Sequence, residues 1–382
     1  MTTIDQTLTF TSKPASYCKR LAGGLRFDLP ATLLAQWLTV GTFLDGFAHH
    51  NLPESLETFF TPWHGVLYAG FLALAGFILF HQFRNMANGY AWNSALPAGY
   101  SFTLVGIAVF GLSGLGDFIW HTLFGIEEGV EALLSPTHLM LAAGGLLLVS
   151  SPLRAALRRF AGATKPGWKN LFPALLSAML VLSVLMFFTE YANTIFSPEQ
   201  VVENPLADTP ELFVHYLTAV GVAGVLIPTA FVIGAVLFII RRWTLPIGAL
   251  TLIVSGSGLL MALFHYHEMM TYPQVLIPIA GGGLIAELAY AWLRPSAERE
   301  REMRVFSFVV PLALYAVFFT VLVLTTGVWW SIHMWTGVPF MAGVVGLLTS
   351  LATASSARAP STCQEINPQI SQMNADYLFK NL

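Results

Sequence analysis

Ten apolar stretches run along this chain, and all 18 of its Lys and Arg residues fall on one side of them. The stretches lie near 30–48, 63–83, 98–120, 136–152, 171–189, 212–240, 244–265, 273–293, 305–328 and 337–354. An apolar helix needs about 20 residues to cross the hydrocarbon layer. In lipid the backbone must satisfy its own hydrogen bonds, and that selects helices. Hydrophobic residues make up 55% of the chain and charged residues only 10%, against roughly a quarter charged in soluble domains. The expected fold is all-α: a polytopic transmembrane helical bundle of about ten spans built from helical hairpins.

Charge sets the orientation, because Lys and Arg are retained on the cytoplasmic side. Lys13, Lys19, Arg20 and Arg26 precede the first span, Arg84 follows the second, and Arg154, Arg158, Arg159, Lys165 and Lys169 follow the fourth. Arg241 and Arg242 follow the sixth, Arg294, Arg299, Arg301 and Arg304 the eighth, and Arg358 and Lys380 lie in the tail. Both termini are therefore expected to be cytoplasmic, in a multi-pass protein of a bacterial inner membrane. The expected organisation is a cytoplasmic segment over 1–29, a transmembrane domain over 30–354 and a cytoplasmic tail over 355–382. The charged connector 294–304 marks a seam before the last two spans. The long sixth span holds Pro228 and is expected to tilt rather than break. No cleavable signal is read ahead of the first span. Cys18 and Cys363 fall on the cytoplasmic side and are expected to stay reduced.

The opposite ends of the spans hold nine of the ten His, with His81 the structural exception on the cytoplasmic side. The loops there are acidic, with Glu54, Glu57, Glu127, Glu128, Glu131, Glu190, Glu199, Glu203, Asp208 and Glu211. Such a face concentrates cations, although the inside bias of basic residues leaves carboxylates outside by default.

On this outward face one pattern occurs twice. Asp45-x3-His49 is followed by Thr61-Pro62-Trp63-His64, and Asp117-x3-His121 by Ser135-Pro136-Thr137-His138. The hairpins near 30–83 and 98–152 thus read as copies of one unit, with 14 residues between His49 and His64 and 16 between His121 and His138. Asp and His four apart share a helical face. Pro suits the first turn of the returning helix, and the Ser or Thr before it is a good cap. The His two residues after Pro then sits level with the end of the outgoing helix. A carboxylate and two imidazoles converge at one depth, the Asp either ligating a metal or orienting a ligating His. Anions at helix C-termini oppose the dipole, and ionisable groups at membrane depth are costly. Metal binding is therefore the favoured reading for Asp45, His49, His64, Asp117, His121 and His138.

Other His on this face offer weaker cases. His215 follows Thr209-Pro210-Glu211, His265, His267 and Glu268 cluster at the end of the seventh span, and His333 follows Trp329-Trp330. Each serves equally well as a metal ligand, a group behind one, or an interfacial hydrogen-bonding residue. His265 aligns with Glu268 on a helix and with His267 in an extended segment. The surrounding Trp and Tyr read first as an interface belt, and the Gly-rich runs as close helix packing. No nucleotide motif or basic nucleic-acid patch is present.

Asp117-Phe118-Ile119-Trp120-His121 with Ser135-Pro136-Thr137-His138 resembles the metal-binding stretch in one membrane-embedded component of the copper membrane monooxygenases, the particulate methane and ammonia monooxygenases. That family has Asp-x-x-Trp-His and a downstream Thr-Pro-x-His. The resemblance implies Asp117, His121 and His138 as copper ligands. Asp45, His49 and His64 follow the same outline without the Trp. It covers about 25 residues per copy, and the loop before His138 is longer than in that family. The implied function is a membrane metalloprotein with a copper (or iron or zinc) site at the outer face, an oxidoreductase acting on a small apolar substrate delivered through the bilayer. Partner subunits or a homo-oligomer are the expected modes of assembly. The competing expectation is a transporter or metal-handling protein with an acidic, His-rich vestibule; against it, the span interiors hold few ionisable residues, Glu287 being the main exception. Haem b held by paired His is a third expectation.

Overall fold

The computed structural model describes residues 21, 23–52, 59–125, 129–205 and 209–356. Cys18, Cys363, the tail beyond 356, and Glu54, Glu57, Glu127, Glu128 and Asp208 lie outside the described residues.

Among the described residues the structure is helical with no strand. The first hairpin is α1 (Leu25–Asn51) and α2 (Pro62–Ala87), and the second is α3 (Ser101–Phe124) with α5 (Pro136–Val149). A short α4 (Val130–Leu134) bridges α3 and α5, and α6 (Ser151–Arg159) continues from α5. Then come α7 (Trp168–Phe187), α8 (Glu199–Val202), α9 (Glu211–Ile240), α10 (Ala249–Phe264), α11 (Tyr266–Thr271), α12 (Leu276–Leu293), α13 (Glu300–Thr325) and α14 (Ile332–Ser356). Among the described residues, eight helices are long and apolar enough to cross a membrane: α2, α3, the α5–α6 run, α7, α9, α12 with the turn before it, α13 and α14. The chain is an integral, multi-pass membrane protein.

The other two expected spans are helices with a difference. α1 has 27 residues, about 40 Å at 1.5 Å per residue, but it carries Asp28, Asp45 and three threonines. α10 is apolar but has only 16 residues, about 24 Å, short of a hydrocarbon core of about 30 Å. It starts late because Gly248, at φ +88°, turns the chain after Pro246. α9 runs unbroken through Pro228. The fourth span instead breaks at Ser150, because Pro152 lacks an N–H and crowds the carbonyl four residues back. Arg154 answers the break: its Nη2 donates to the Leu147 carbonyl at 2.8 Å and its Nε to Gly99 at 3.1 Å.

Two apolar cores meet at α7. One gathers Leu38, Ile78, Phe110, Leu148 and Leu180 from the first two hairpins and α7. The other gathers Leu175, Leu237, Ile253, Phe306 and Phe319 from α7, α9, α10 and α13. The connector 294–299 is a turn, with Arg294 in the left-handed region at φ 49°.

The two hairpins share one register. Gly70 lies six residues after His64, and Gly144 six after His138. A Cβ on Gly70 would stand 2.8 Å from the Leu38 nitrogen, and one on Gly144 2.7 Å from the Phe110 nitrogen. Leu38 and Phe110 each precede the motif Asp by seven residues. The same backbone contact therefore fixes the same depth twice. Gly144→Ala is expected to destabilise the protein by about 1–3 kcal/mol through overpacking. Gly145→Ala, whose Cβ meets only the Phe110 ring at 3.8 Å, should be neutral or slightly stabilising. Thermal unfolding in detergent separates the two.

Candidate metal centre

The return helices begin as their sequence predicts. Thr61 and Ser135 are extended N-caps, followed by Pro, and their hydroxyls accept from the backbone N–H of His64 at 3.2 Å and His138 at 3.4 Å. The same hydroxyls meet the ring Nδ1 of His64 at 3.0 Å and of His138 at 2.8 Å. One oxygen thus caps the helix and fixes the imidazole, and Nε2 is aimed at the outgoing helix. His121 is set in a similar way, its Nδ1 lying 3.2 Å from the Gly125 carbonyl just past the end of α3.

Each Nε2 faces an Asp. Asp45 Oδ2 lies 4.0 Å from His49 Nε2 and 3.6 Å from His64 Nε2. Asp117 Oδ1 lies 3.5 Å from His121 Nε2 and 3.1 Å from His138 Nε2. Thr137 Oγ1 donates to that same Asp117 oxygen at 3.0 Å. All six residues expected from the motif stand at one end of the bundle, and spacing alone left open whether they make one site or two. The geometry joins them. His64 belongs both to the group with Asp45 and His49 and to the group with Asp117 and His121, each with donor atoms within 4.8 Å of one another. The rings of His64 and His121 are 6.3 Å apart.

Ligands about 2.0–2.1 Å from a tetrahedral ion are about 3.3 Å from one another, so separations of 3.1–3.6 Å across three of the four Asp–His pairs match a coordination shell, and His49 stands wider at 4.0 Å. Asp45 Oδ1 is buried without a hydrogen-bond partner. Among the described residues, Asp45 and Asp117 have ion-pair partners that are all histidines. Asp117 is buried and Asp45 largely so; carboxylates so placed without a Lys or Arg call for compensating charge, which a divalent cation would supply. The donors are nitrogen and oxygen, and among the described residues no Cys or Met lines the cavity beside them. That set suits a divalent or redox-cycling transition metal.

Phe59 stacks on His64 at 4.8 Å and approaches His121 at 6.1 Å, roofing the junction. Below the site opens a cavity of about 350 Å³, lined by Asp45, His49, His64, Asp117 and His138 at one end. Its other walls are mostly apolar, among them Leu38, Leu67, Tyr68, Phe110, Leu141 and Val184. Tyr68, Thr137 and Phe59 escape a motif search. Only Tyr68 leaves a signal, standing four residues after His64 on the same face.

The remaining histidines divide. His265 and Glu268 join His50 in a second group of candidate ligands. His215 is exposed and pairs with exposed Glu211, at 3.5 Å. His267 and His333 stand outside all three groups of candidate ligands. Glu190, in the turn after α7, and Glu199, on α8, face this second group; burial pushes both carboxyls up to about 7.

No protein-family model, curated protein or solved structure matches this chain.

Removing the dual-purpose hydroxyl tests the local design. Ser135→Ala is expected to cost about 0.5–2 kcal/mol through the lost cap and to weaken metal binding about tenfold through the freed imidazole. Ser135→Thr should restore both, as read by thermal unfolding and metal titration of the same preparations.

Proposed function

We propose that the two hairpins build one composite transition-metal centre, with copper the leading metal and iron or zinc the alternatives. We further propose that the protein is an oxidoreductase whose small apolar substrate enters from the bilayer. The observation that carries this reading is the convergence of both Asp/His triads on His64 directly above an apolar cavity. The resemblance of Asp117, His121 and His138 to the copper-binding stretch of the membrane monooxygenases points to the same metal. The positive-inside pattern favours a centre at the outer face of a bacterial inner membrane.

A bound copper ion supplies one-electron redox chemistry. The chain supplies the setting for it. Thr61, Ser135 and the Gly125 carbonyl hold three imidazoles with Nε2 directed to the centre. Thr137 holds the Asp117 carboxylate, and Phe59 sheds water from the junction. The Leu and Phe walls exclude charged molecules and accept an apolar one. These walls also favour this reading over cation transport, because an ion moving inward from the cluster would meet Leu38, Leu67, Phe110 and Leu141, with hydroxyls of Thr39, Thr42 and Tyr68 but, among the described residues, no charged group to receive it.

The test is elemental analysis of detergent-purified protein, wild type beside His121→Ala/His138→Ala and His49→Ala/His64→Ala. Bound copper or iron lost from the variants supports the centre, and oxygen consumption dependent on an added short-chain hydrocarbon supports the activity. Wild type that binds none of copper, iron or zinc after reconstitution removes the proposal. Bound metal without oxygen-dependent turnover removes the oxidoreductase half alone.

A further inference from the structure

We propose a second cation site, built by His50, His265 and Glu268, with Glu190 behind it, for a borderline divalent ion such as Zn²⁺ or Co²⁺. It is independent of the six-residue centre and opens on the same cavity. Three parts of the chain make it: the last turn of α1 gives His50, the α10–α11 junction gives His265 and Glu268, and the turn after α7 gives Glu190. One ligand atom from each of His50, His265 and Glu268 lies within 4.8 Å of the others. His50 Nε2 is 3.0 Å from Glu268 Oε1, and His265 Nδ1 is 3.8 Å from Glu268 Oε2. On the far side of the ring, His265 Nε2 is 3.4 Å from Glu190 Oε2.

The state of His265 carries the argument. Its side chain is 1% exposed, yet neither ring nitrogen makes a hydrogen bond, and the nearby Glu268 Oε2 is also buried without one. Buried polar groups left unmade are expensive, and an imidazole with both nitrogens unmade in a cage of carboxylates lacks something. Packing fixes the ring in that position. Phe196 stacks on it at 5.8 Å and 19°, and Phe264 meets its edge at 4.8 Å, so it is held between planes with its nitrogens directed at the two Glu. Glu190 then acts as the carboxylate that orients a ligating His from behind, leaving Nδ1 for the ion. Two imidazoles and one carboxylate leave a coordination position open. His50 and Glu190 both line the cavity, so the second site adjoins the same space as the six-residue centre. His49 and His50, adjacent on α1, serve different sites because successive helical residues point about 100° apart.

The test is equilibrium dialysis of the detergent-purified full chain against Co²⁺, read by bound metal per chain and by its visible absorption. Four proteins are compared: wild type, His265→Gln, His64→Ala/His138→Ala, and the triple variant. The expected result is that His265→Gln binds one Co²⁺ fewer than wild type. The His64→Ala/His138→Ala protein keeps one Co²⁺, and the triple variant loses it. Equal Co²⁺ with and without His265→Gln in both backgrounds overturns the proposal, whatever becomes of the first centre. Should His265→Gln not fold, the more exposed His50→Gln replaces it, with Co²⁺ binding at least about tenfold weaker expected and unchanged binding overturning the site.

Discussion

Replacing His64 with Ala is expected to empty both halves of the composite centre at once. Among the described residues, His64 alone is shared by the two groups of ligand atoms, facing Asp45 at 3.6 Å in one and standing with Asp117 and His121 in the other. Its ring is fixed by Thr61 on Nδ1 and by Phe59 on its face. Losing even a partner behind a ligand weakens metal binding about 10–100-fold, so losing the shared ligand should cost at least about 100-fold for every ion held there. His49→Ala is the contrast. That ring lies at the edge, 4.0 Å from Asp45, and its removal should leave the ion held through Asp117, His121 and His138. The measurement is metal content and affinity of the two variants side by side. If His64→Ala keeps as much metal as His49→Ala, the centre is two separate sites and the shared-ligand account is wrong.

Much of this was legible in the chain, and the part that was not has physical reasons. The motif Asp-x3-His with (Ser/Thr)-Pro-x-His is local: helical spacing and a capping hydroxyl fix a carboxylate and two imidazoles at one depth without help from the rest of the fold. Convergence of the two hairpins is not local. It depends on Gly70 meeting Leu38 and Gly144 meeting Phe110 at matching depths, a register that spacing within each loop does not encode. His215 shows how the same local pattern can lead to a different setting. Thr209-Pro210 looks like a third opening, but Pro210 is itself the N-cap of α9 and no side chain caps the helix. Without a capping hydroxyl to fix its ring, the imidazole stays in solvent. His265 had two readings, and α11 decides between them: it begins at Tyr266, so helical spacing brings Glu268 to His265 and turns His267 away. Glu190 is legible in the sequence only as one of the carboxylates of the acidic outer loops. Its partner is 75 residues further on, on another helix.

Asp28→Ala is expected to destabilise the protein by about 1–3 kcal/mol, because it takes a charged acceptor away from the half-buried Arg159 guanidinium and from the Tyr100 hydroxyl. Asp28 is 2% exposed, pairs with Arg159 at the end of α6, and accepts from the Tyr100 hydroxyl at 3.0 Å. Asp28 belongs to the first hairpin, and both of its partners flank the second. The contact therefore ties the hairpins together at the end of the bundle opposite the centre. Helices are stiff, so a tilt released there is carried along α1 and α3 to Asp45 and Asp117. Metal affinity should fall along with stability, although no ligand has been touched. Asp28→Leu/Arg159→Leu separates charge from tether. Removing both charges should recover most of the lost stability, since an apolar pair often replaces a buried ion pair without cost. Metal affinity should recover only as far as the apolar contact restores the angle between the hairpins. Thermal unfolding and Co²⁺ titration of the single and double variants decide it. A single variant as stable as wild type would show that the pair is not holding the bundle, and one that loses stability but keeps full affinity would show that Gly70 and Gly144 alone set the alignment of the centre.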